Sequence, residues 1–241
     1  MCFSVNVNIV KEELEERYGV QFPDKYRYEP SYYYHAFSFP ELPALCSGRS
    51  EEFRLFRWGL IPSWVKTEAE ADLIRTKTLN ARSESIGTKR SYSASFKSKR
   101  CIIPVRGFYE WQHNGKKKIP WYIYSRDNDV FSLAGLYSEW LPGPGRESVS
   151  TFTIITTEAN ELMADIHNSK KRMPLILNKS AEHDWIDLSV TESDLISLLH
   201  PYPADRMNAH VIGNLINNRK ANRNSIEVIQ PLAVSRENLL F

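Results

Sequence analysis

Residues 100–111, Arg-Cys-Ile-Ile-Pro-Val-Arg-Gly-Phe-Tyr-Glu-Trp, constrain this chain most: an apolar run ends in one carboxylate set between aromatic rings. Residues 101–105 are short, rich in β-branched side chains and bounded by Arg100 and Gly107, as a strand covered on both faces should be. Strand alternation puts Tyr109 and Trp111 on one face and Phe108 with Glu110 on the other. A carboxylate beside so much ring surface loses hydration. Its pKa then rises, which suits Glu110 to give or take protons near neutral pH. An exposed Glu at a strand end would look the same from this stretch alone, so the choice rests on the remainder of the chain.

With 241 residues, 42% hydrophobic and 12% aromatic, the chain can bury a large core as one domain spanning 1–241. No linker-like tract divides it, and residues 141–146, Leu-Pro-Gly-Pro-Gly-Arg, are short enough to be a loop. The first ten residues lack the basic flank and long apolar region of a signal peptide, and no apolar run reaches membrane-span length. The expected location is the cytoplasm, on the nucleoid in a bacterium or in the nucleus of a eukaryote. The three cysteines are odd in number and form no CxxC pair, which argues against a disulfide framework or a zinc site. The six histidines show no HxH or HExxH spacing, so no metal and no other cofactor is expected. Net charge is only +2, but the basic runs 97–100, 116–118 and 170–172 could line a groove for phosphates, or simply be solvated turns.

Along the chain, Asn8 can cap a helix over 9–18 with Gly19 as its stop. Residues 32–39 read as a strand ending at Pro40, with a loop through Pro43, and residues 53–58 as another strand. Residues 59–64 turn the chain and leave Trp64 in a loop, as a lid over core or a flat surface for a base. Residues 79–85 lack periodicity and read as a polar loop offering Asn80 and Arg82, and 91–99 as a short helix. Asn114-Gly115 predicts a hairpin joining the Glu110 strand to 120–125. Strands are expected over 130–137 and 150–157, and a helix over 158–166 whose C-terminal dipole favours the cation of His167. An extended segment over 172–177, helices over 178–188 and 191–200, a strand over 209–212 and a closing tail over 226–232 complete the chain.

Met1-Cys2, Leu79-Asn80-Ala81-Arg82, Gly107-Phe-Tyr-Glu110-Trp111, Asp165-Ile-His167 with Arg172-Met-Pro174, and residues 57–64 together resemble the SOS-response-associated peptidase (SRAP) family. That resemblance covers nearly the whole chain. It implies a single α+β domain, β-rich, with a mixed, barrel-like sheet, flanking short helices and a positively charged groove. It also implies that the protein shields abasic sites in single-stranded DNA, as a monomer, with residue 2 becoming the N-terminus. Carried over by motif, Cys2 is the covalent nucleophile, Asn80 orients it, and Glu110 and His167 are the acid/base pair. Arg82 and Arg172 would hold phosphate, with Pro40, Trp64 and Thr156 lining a kinked strand. Two departures stand out: Phe3-Ser4 follow the cysteine where the family commonly has Gly-Arg, and four residues, 168–171, separate His167 from Arg172 where one is usual.

The chemistry has its own logic. An open abasic sugar carries an aldehyde, and an N-terminal cysteine offers an α-amine of pKa roughly 8 beside a thiol of roughly 8.5. Imine formation followed by thiol closure gives a five-membered thiazolidine. Two other readings use the same residues: a cysteine peptidase built on Cys2, His167 and Glu110 that releases Met1, and a non-covalent reader of damaged DNA.

Overall fold

The computed structural model describes residues 2–232. In chain order its strands are β1 (Ser4–Val7), β2 (Ser31–His35), β3 (Glu41–Cys46), β4 (Arg49–Trp58), β5 (Asn80–Arg82), β6 (Arg100–Val105), β7 (Gly107–Asn114), β8 (Lys117–Ser125), β9 (Phe131–Trp140), β10 (Val149–Glu158), β11 (Arg172–Pro174), β12 (Ile176–Leu177) and β13 (Met207–Val211). The helices are short: α1 (Lys11–Tyr18), α2 (Glu68–Arg75), α3 (Ser93–Ser98), α4 (Glu161–Ile166), α5 (Ala181–Ile186) and α6 (Glu192–Ser197). This is the expected β-rich α+β fold, built on two sheets.

One sheet is antiparallel in the order β13-β8-β7-β1-β2. In the other, β3, β4, β10, β9 and β6 pair in a closed ring, with β10 parallel to β4 and the remaining pairs antiparallel. Closure removes free edges from these staves. Beyond the ring, β10 carries β5 along one edge and β11 along the other. The apolar core, including Leu42, Phe56, Ile102, Leu136 and Phe152, is continuous with Phe108 and Ile123 of the first sheet.

The run 100–111 is therefore two strands in two sheets, broken at Arg106. The corner is pinned: the Arg106 amide donates to Asn6 O (2.9 Å), its Nε to Asn8 O (2.8 Å), and its Nη2 meets both carboxylate oxygens of Glu13 on α1. Phe108 joins the barrel core and Tyr109 a separate cluster with Tyr122, Ile212, Ile216 and Val228, so the alternation expected there is present. The Asn114-Gly115 hairpin forms, with Gly115 at φ +57° and Asn114 paired with Lys117.

Several expectations need correction. Asn8 does not cap α1: the helix begins at Lys11 behind an exposed Val10, while the Asn8 amide donates to Asn6 Oδ1. The strand at 32–39 stops at His35 and becomes a 3-10 turn (Ala36–Ser38). The loop expected through Pro43 is strand β3, in which Pro43 sits opposite Leu55. The polar loop at 79–85 opens with strand β5, because β10 supplies it with a parallel partner that local propensity cannot reveal. Helix α2, missed in the sequence, is closed by a Thr67–Glu70 capping box. Helix α4 begins at Glu161, since Glu158 still belongs to β10. Arg100, counted above in an exposed basic run, is buried and donates to the carbonyls of Phe96, Lys97, Trp185 and Asp187, tying α3 and α5 to β6.

Barrel closure leaves no room at Gly135, where an added Cβ would lie 2.8 Å from Thr153 O and 2.9 Å from Cys101 Sγ. Gly135→Ala should cost about 3 kcal/mol and lower Tm by roughly 6–12 °C. Gly143→Ala, with nothing within 4 Å of its Cβ, should leave Tm unchanged or slightly higher. Thermal melts of both variants check this, and equal Tm values would contradict it.

Candidate functional site

Antiparallel pairing of β1 with β7, Val5 opposite Phe108, leads the beginning of the chain back alongside Glu110. Cys2 is fully buried there, its thiol pointing to Ser4 O at 3.9 Å. From β5, Asn80 Nδ2 donates to Cys2 O at 2.9 Å. His167 caps the C-terminus of α4, its amide donating to Met163 O at 2.8 Å. Its Nε2 stands 4.0 Å from Glu110 Oε2. The four residues with expected catalytic roles, Cys2, Asn80, Glu110 and His167, thus come together from four separate parts of the fold.

His167 Nδ1 lies 2.8 Å from Arg172 O. The Arg172 amide also approaches Nδ1, at 3.4 Å, so it is the shorter contact to the carbonyl, which cannot donate, that favours the hydrogen on Nδ1 and leaves the Nε2 lone pair on the Glu110 side. Two residues with no signal in the sequence fix this meeting. Gln112 Nε2 donates to Asp165 O at 3.0 Å, and the Asn168 amide bridges the backbone of His113, accepting from its N–H at 3.1 Å and donating to its carbonyl at 2.9 Å. The unusually spaced turn 168–171 therefore laces β7 to α4.

Burial dominates the electrostatics. It raises Glu110 from the ordinary 4.5 to about 7. It lowers His167 from 6.5 to about 4, with the positive charge of the chain's N-terminus and, less strongly, of Lys170 adding to the effect. The expectation that the helix dipole favours a His167 cation is thereby overturned: desolvation outweighs the end of a six-residue helix. Burial, with the Glu110 charge behind it, pushes the Cys2 thiol well up, so sulfur is held as S–H. Near pH 6 the site holds a carboxylic acid, a neutral imidazole and a thiol.

Beside it opens a groove of about 670 Å³ lined by Arg82, Lys170, Lys171, Arg172, Glu158 and small side chains. Arg82 and both lysines are exposed. Arg172 is not an open phosphate ligand here: its guanidinium grips the Glu84 carboxylate and the Thr156 carbonyl, and its side chain is only 11% exposed. Thr156 is fully buried, its hydroxyl bonded to Ala81 O, so it lies beneath the groove rather than on it. Trp64 is 40% exposed with Arg90 stacked 4.2 Å over its ring. Pro40 is half-buried, its carbonyl accepting from the Trp58 amide. Among the described residues no three His, Cys, Asp or Glu side chains converge as metal ligands, and no helix is long and apolar enough to cross a membrane.

Comparison with known proteins adds a second line of observation. A family model described as SOS response associated peptidase (SRAP) matches residues 1–219. Abasic site processing protein YoqW of Bacillus subtilis is 40% identical over 233 residues, covering 95% of this chain and 99% of that protein. Abasic site processing protein HMCES of Xenopus tropicalis is 35% identical over 186 residues, 69% of this chain and 54% of that one. An X-ray structure of a protein from Bacteroides thetaiotaomicron superposes with a TM-score of 0.91 at 38% identity, covering 96% of this chain and 100% of that one.

The buried pair sets a pH dependence of stability. With its pKa raised from 4.5 to about 7, Glu110 contributes stability that is complete below pH 4.5 and lost as pH rises through 7. His167, lowered from 6.5 to about 4, contributes stability that is present above pH 6.5 and lost as pH falls through 4. Glu110→Gln removes only the first effect. The variant should exceed the parent by on the order of 3 kcal/mol at about pH 8 and match it near pH 4. Denaturant unfolding across that range measures the difference, and parallel stability curves would contradict the assignment.

Proposed function

Because the chain belongs to the SOS response associated peptidase family, we propose that it processes abasic sites in single-stranded DNA by capturing the sugar aldehyde covalently on Cys2. Met1 must first be removed, by ordinary methionine excision, which a small residue at position 2 permits, or by self-cleavage assisted by Glu110 or His167. What carries the reading is the meeting, beside a basic groove, of residue 2 with a neutral acid and a neutral base.

The steps balance. Glu110, as the carboxylic acid, donates its proton to the ring oxygen of the sugar while the C1′ hydroxyl gives one up, and the ring opens to the aldehyde. The α-amine of Cys2 adds to the carbonyl carbon, water leaves, and an imine remains. The S–H then adds across the C=N bond, sulfur to carbon and hydrogen to nitrogen, closing the thiazolidine. His167 Nε2 accepts and returns the proton that the amine sheds on attack. Where closure lags, the imine permits loss of a C2′ proton and elimination of the 3′ phosphate, a lyase outcome. A thiol held as S–H and bonded to Ser4 O fits this order better than a peptidase acting on other proteins, which needs a thiolate beside an imidazolium. One chain supplies every group named, so the proposed reaction needs no second copy.

Boiled in detergent, the protein mixed with abasic single-stranded DNA should show a shifted band, absent for Cys2→Ala. Glu110→Gln should form the band roughly 10²–10⁴-fold more slowly while binding the DNA nearly as well. No band with the processed protein would overturn covalent capture, and equal losses of rate and binding would overturn the acid/base role of Glu110. Arg82→Ala should weaken binding to any single strand and reduce the salt slope by about 0.7, one phosphate's worth. An unchanged slope would make Arg82 structural.

A further inference from the structure

Residues 217–224, Asn-Asn-Arg-Lys-Ala-Asn-Arg-Asn, form a loop laid over the first sheet. It is anchored at both ends. Asn217 Oδ1 accepts from Trp111 Nε1 at 2.9 Å, and Asn224 Oδ1 accepts from the Tyr32 amide at 3.0 Å. Between them the loop is braced by its own asparagines: the Lys220 amide donates to Asn218 Oδ1 and the Asn224 amide to Asn222 Oδ1. The flanking 3-10 turns bury Ile216 and Val228 in the cluster around Tyr109. Asparagines and flanking apolar residues thus do the holding, and the cations are not needed for it.

Those cations are Arg219, Lys220 and Arg223. No acidic residue occurs between Asp205 and Glu227, and none of the three lies within ion-pair distance of a carboxylate among the described residues. Arg219 and Lys220 are exposed; Arg223 lies 4.4 Å over the ring of Tyr33. From Tyr33 a line of rings leads back toward the site. Tyr33 stacks on His35 at 6.1 Å, His35 meets Phe37 at 5.5 Å, and Phe37 meets Phe3 at 5.2 Å, one residue from Cys2. Phe37 is 50% exposed. His35 is also tied to this segment directly, its Nδ1 bonding Phe3 O at 3.1 Å.

Cations without carboxylate partners, followed by partly exposed rings, are what a single strand needs: charge for the backbone and flat faces for bases. We infer that the 217–224 loop is a second phosphate-binding arm, holding the flanking DNA that runs from Cys2 over Phe37, His35 and Tyr33 to Arg223, Lys220 and Arg219. This rests on the nucleic-acid reading above. The groove at Arg82, Lys170 and Lys171 then serves one flank of the lesion and the arm the other.

The test uses the full chain with Arg219, Lys220 and Arg223 all changed to Gln, and undamaged oligo-dT of about 3 and about 20 nucleotides. For the long strand the salt slope should fall by roughly 2, three phosphates at about 0.7 each, with affinity down about tenfold or more at moderate salt. For the short strand, which cannot span both the site and the arm, affinity should not change. Arg219→Glu with Lys220→Glu, which leaves Arg223 on Tyr33, should reproduce the effect with an unaltered melting curve. Unchanged affinity and slope for the long strand would overturn the arm, as would equal losses at both lengths. Oligo-dT requires no Cys2 chemistry, so a protein that fails to crosslink abasic DNA yet shows this length-dependent loss refutes covalent capture and keeps the arm. One that crosslinks normally with an unchanged slope does the reverse.

Discussion

The molecule depends on one strand passing from one sheet into another. β6 is a stave of the closed ring and β7 the centre of the second sheet, and Arg106 is the single residue between them. Its guanidinium and amide reach Asn6, Asn8 and Glu13, so the corner that joins the sheets also fastens the segment that bears Cys2. Charge-assisted bonds to fixed carbonyls and a carboxylate make such a corner far stiffer than a solvated turn. Glu110, four residues beyond it, is carried into the interior because β7 has neighbours on both edges, β1 and β8.

That burial is costly, and the site uses it. Removing a carboxyl from water favours its acid form, and doing the same to an imidazole favours its neutral form, so the two groups face each other uncharged where both would otherwise be ionised in part. Each is then in the protonation state that its proposed role requires, Glu110 to give a proton and His167 to take one. Positive charge is kept outside, at Arg82, Lys170 and Lys171 in the groove and on the loop after Asn217. In the proposed function, an uncharged pair inside a cationic rim would attract a polyanion without holding it at the reacting atoms.

Much of this was legible in the sequence wherever local pattern and tertiary context agree. The β-branched run at β6, the Asn114-Gly115 hairpin, and the strands β8, β9 and β10 declare themselves through alternation and turn chemistry. The misses share one cause, a partner distant in sequence. β5 is three polar residues that become a strand only because β10 lies beside them. Pro43 sits within a strand because β4 is its neighbour, and Arg100 looks like part of a surface run until the carbonyls of α3 and α5 close on it. The four residues with expected catalytic roles rest on a motif resemblance, since no spacing rule joins Cys2, Asn80, Glu110 and His167. Gln112 and Asn168, which lock the geometry between Glu110 and His167, belong to a hairpin arm and a turn and carry no sequence signal. The reading of His167 as a cation failed because a sequence shows the end of a helix but not how deeply it is buried.

In the proposed reaction residue 2, through both its amine and its sulfur, is the group that bonds to the lesion. The most direct test is mass mapping of the adduct after protease and nuclease digestion. The expected N-terminal peptide begins at Cys2, lacks Met1, carries the sugar remnant less one water, and resists thiol-alkylating reagents because sulfur is in the ring. A remnant found on an internal lysine, or on a peptide that still begins with Met1, or on an N-terminal peptide whose thiol remains free to alkylate, would contradict it.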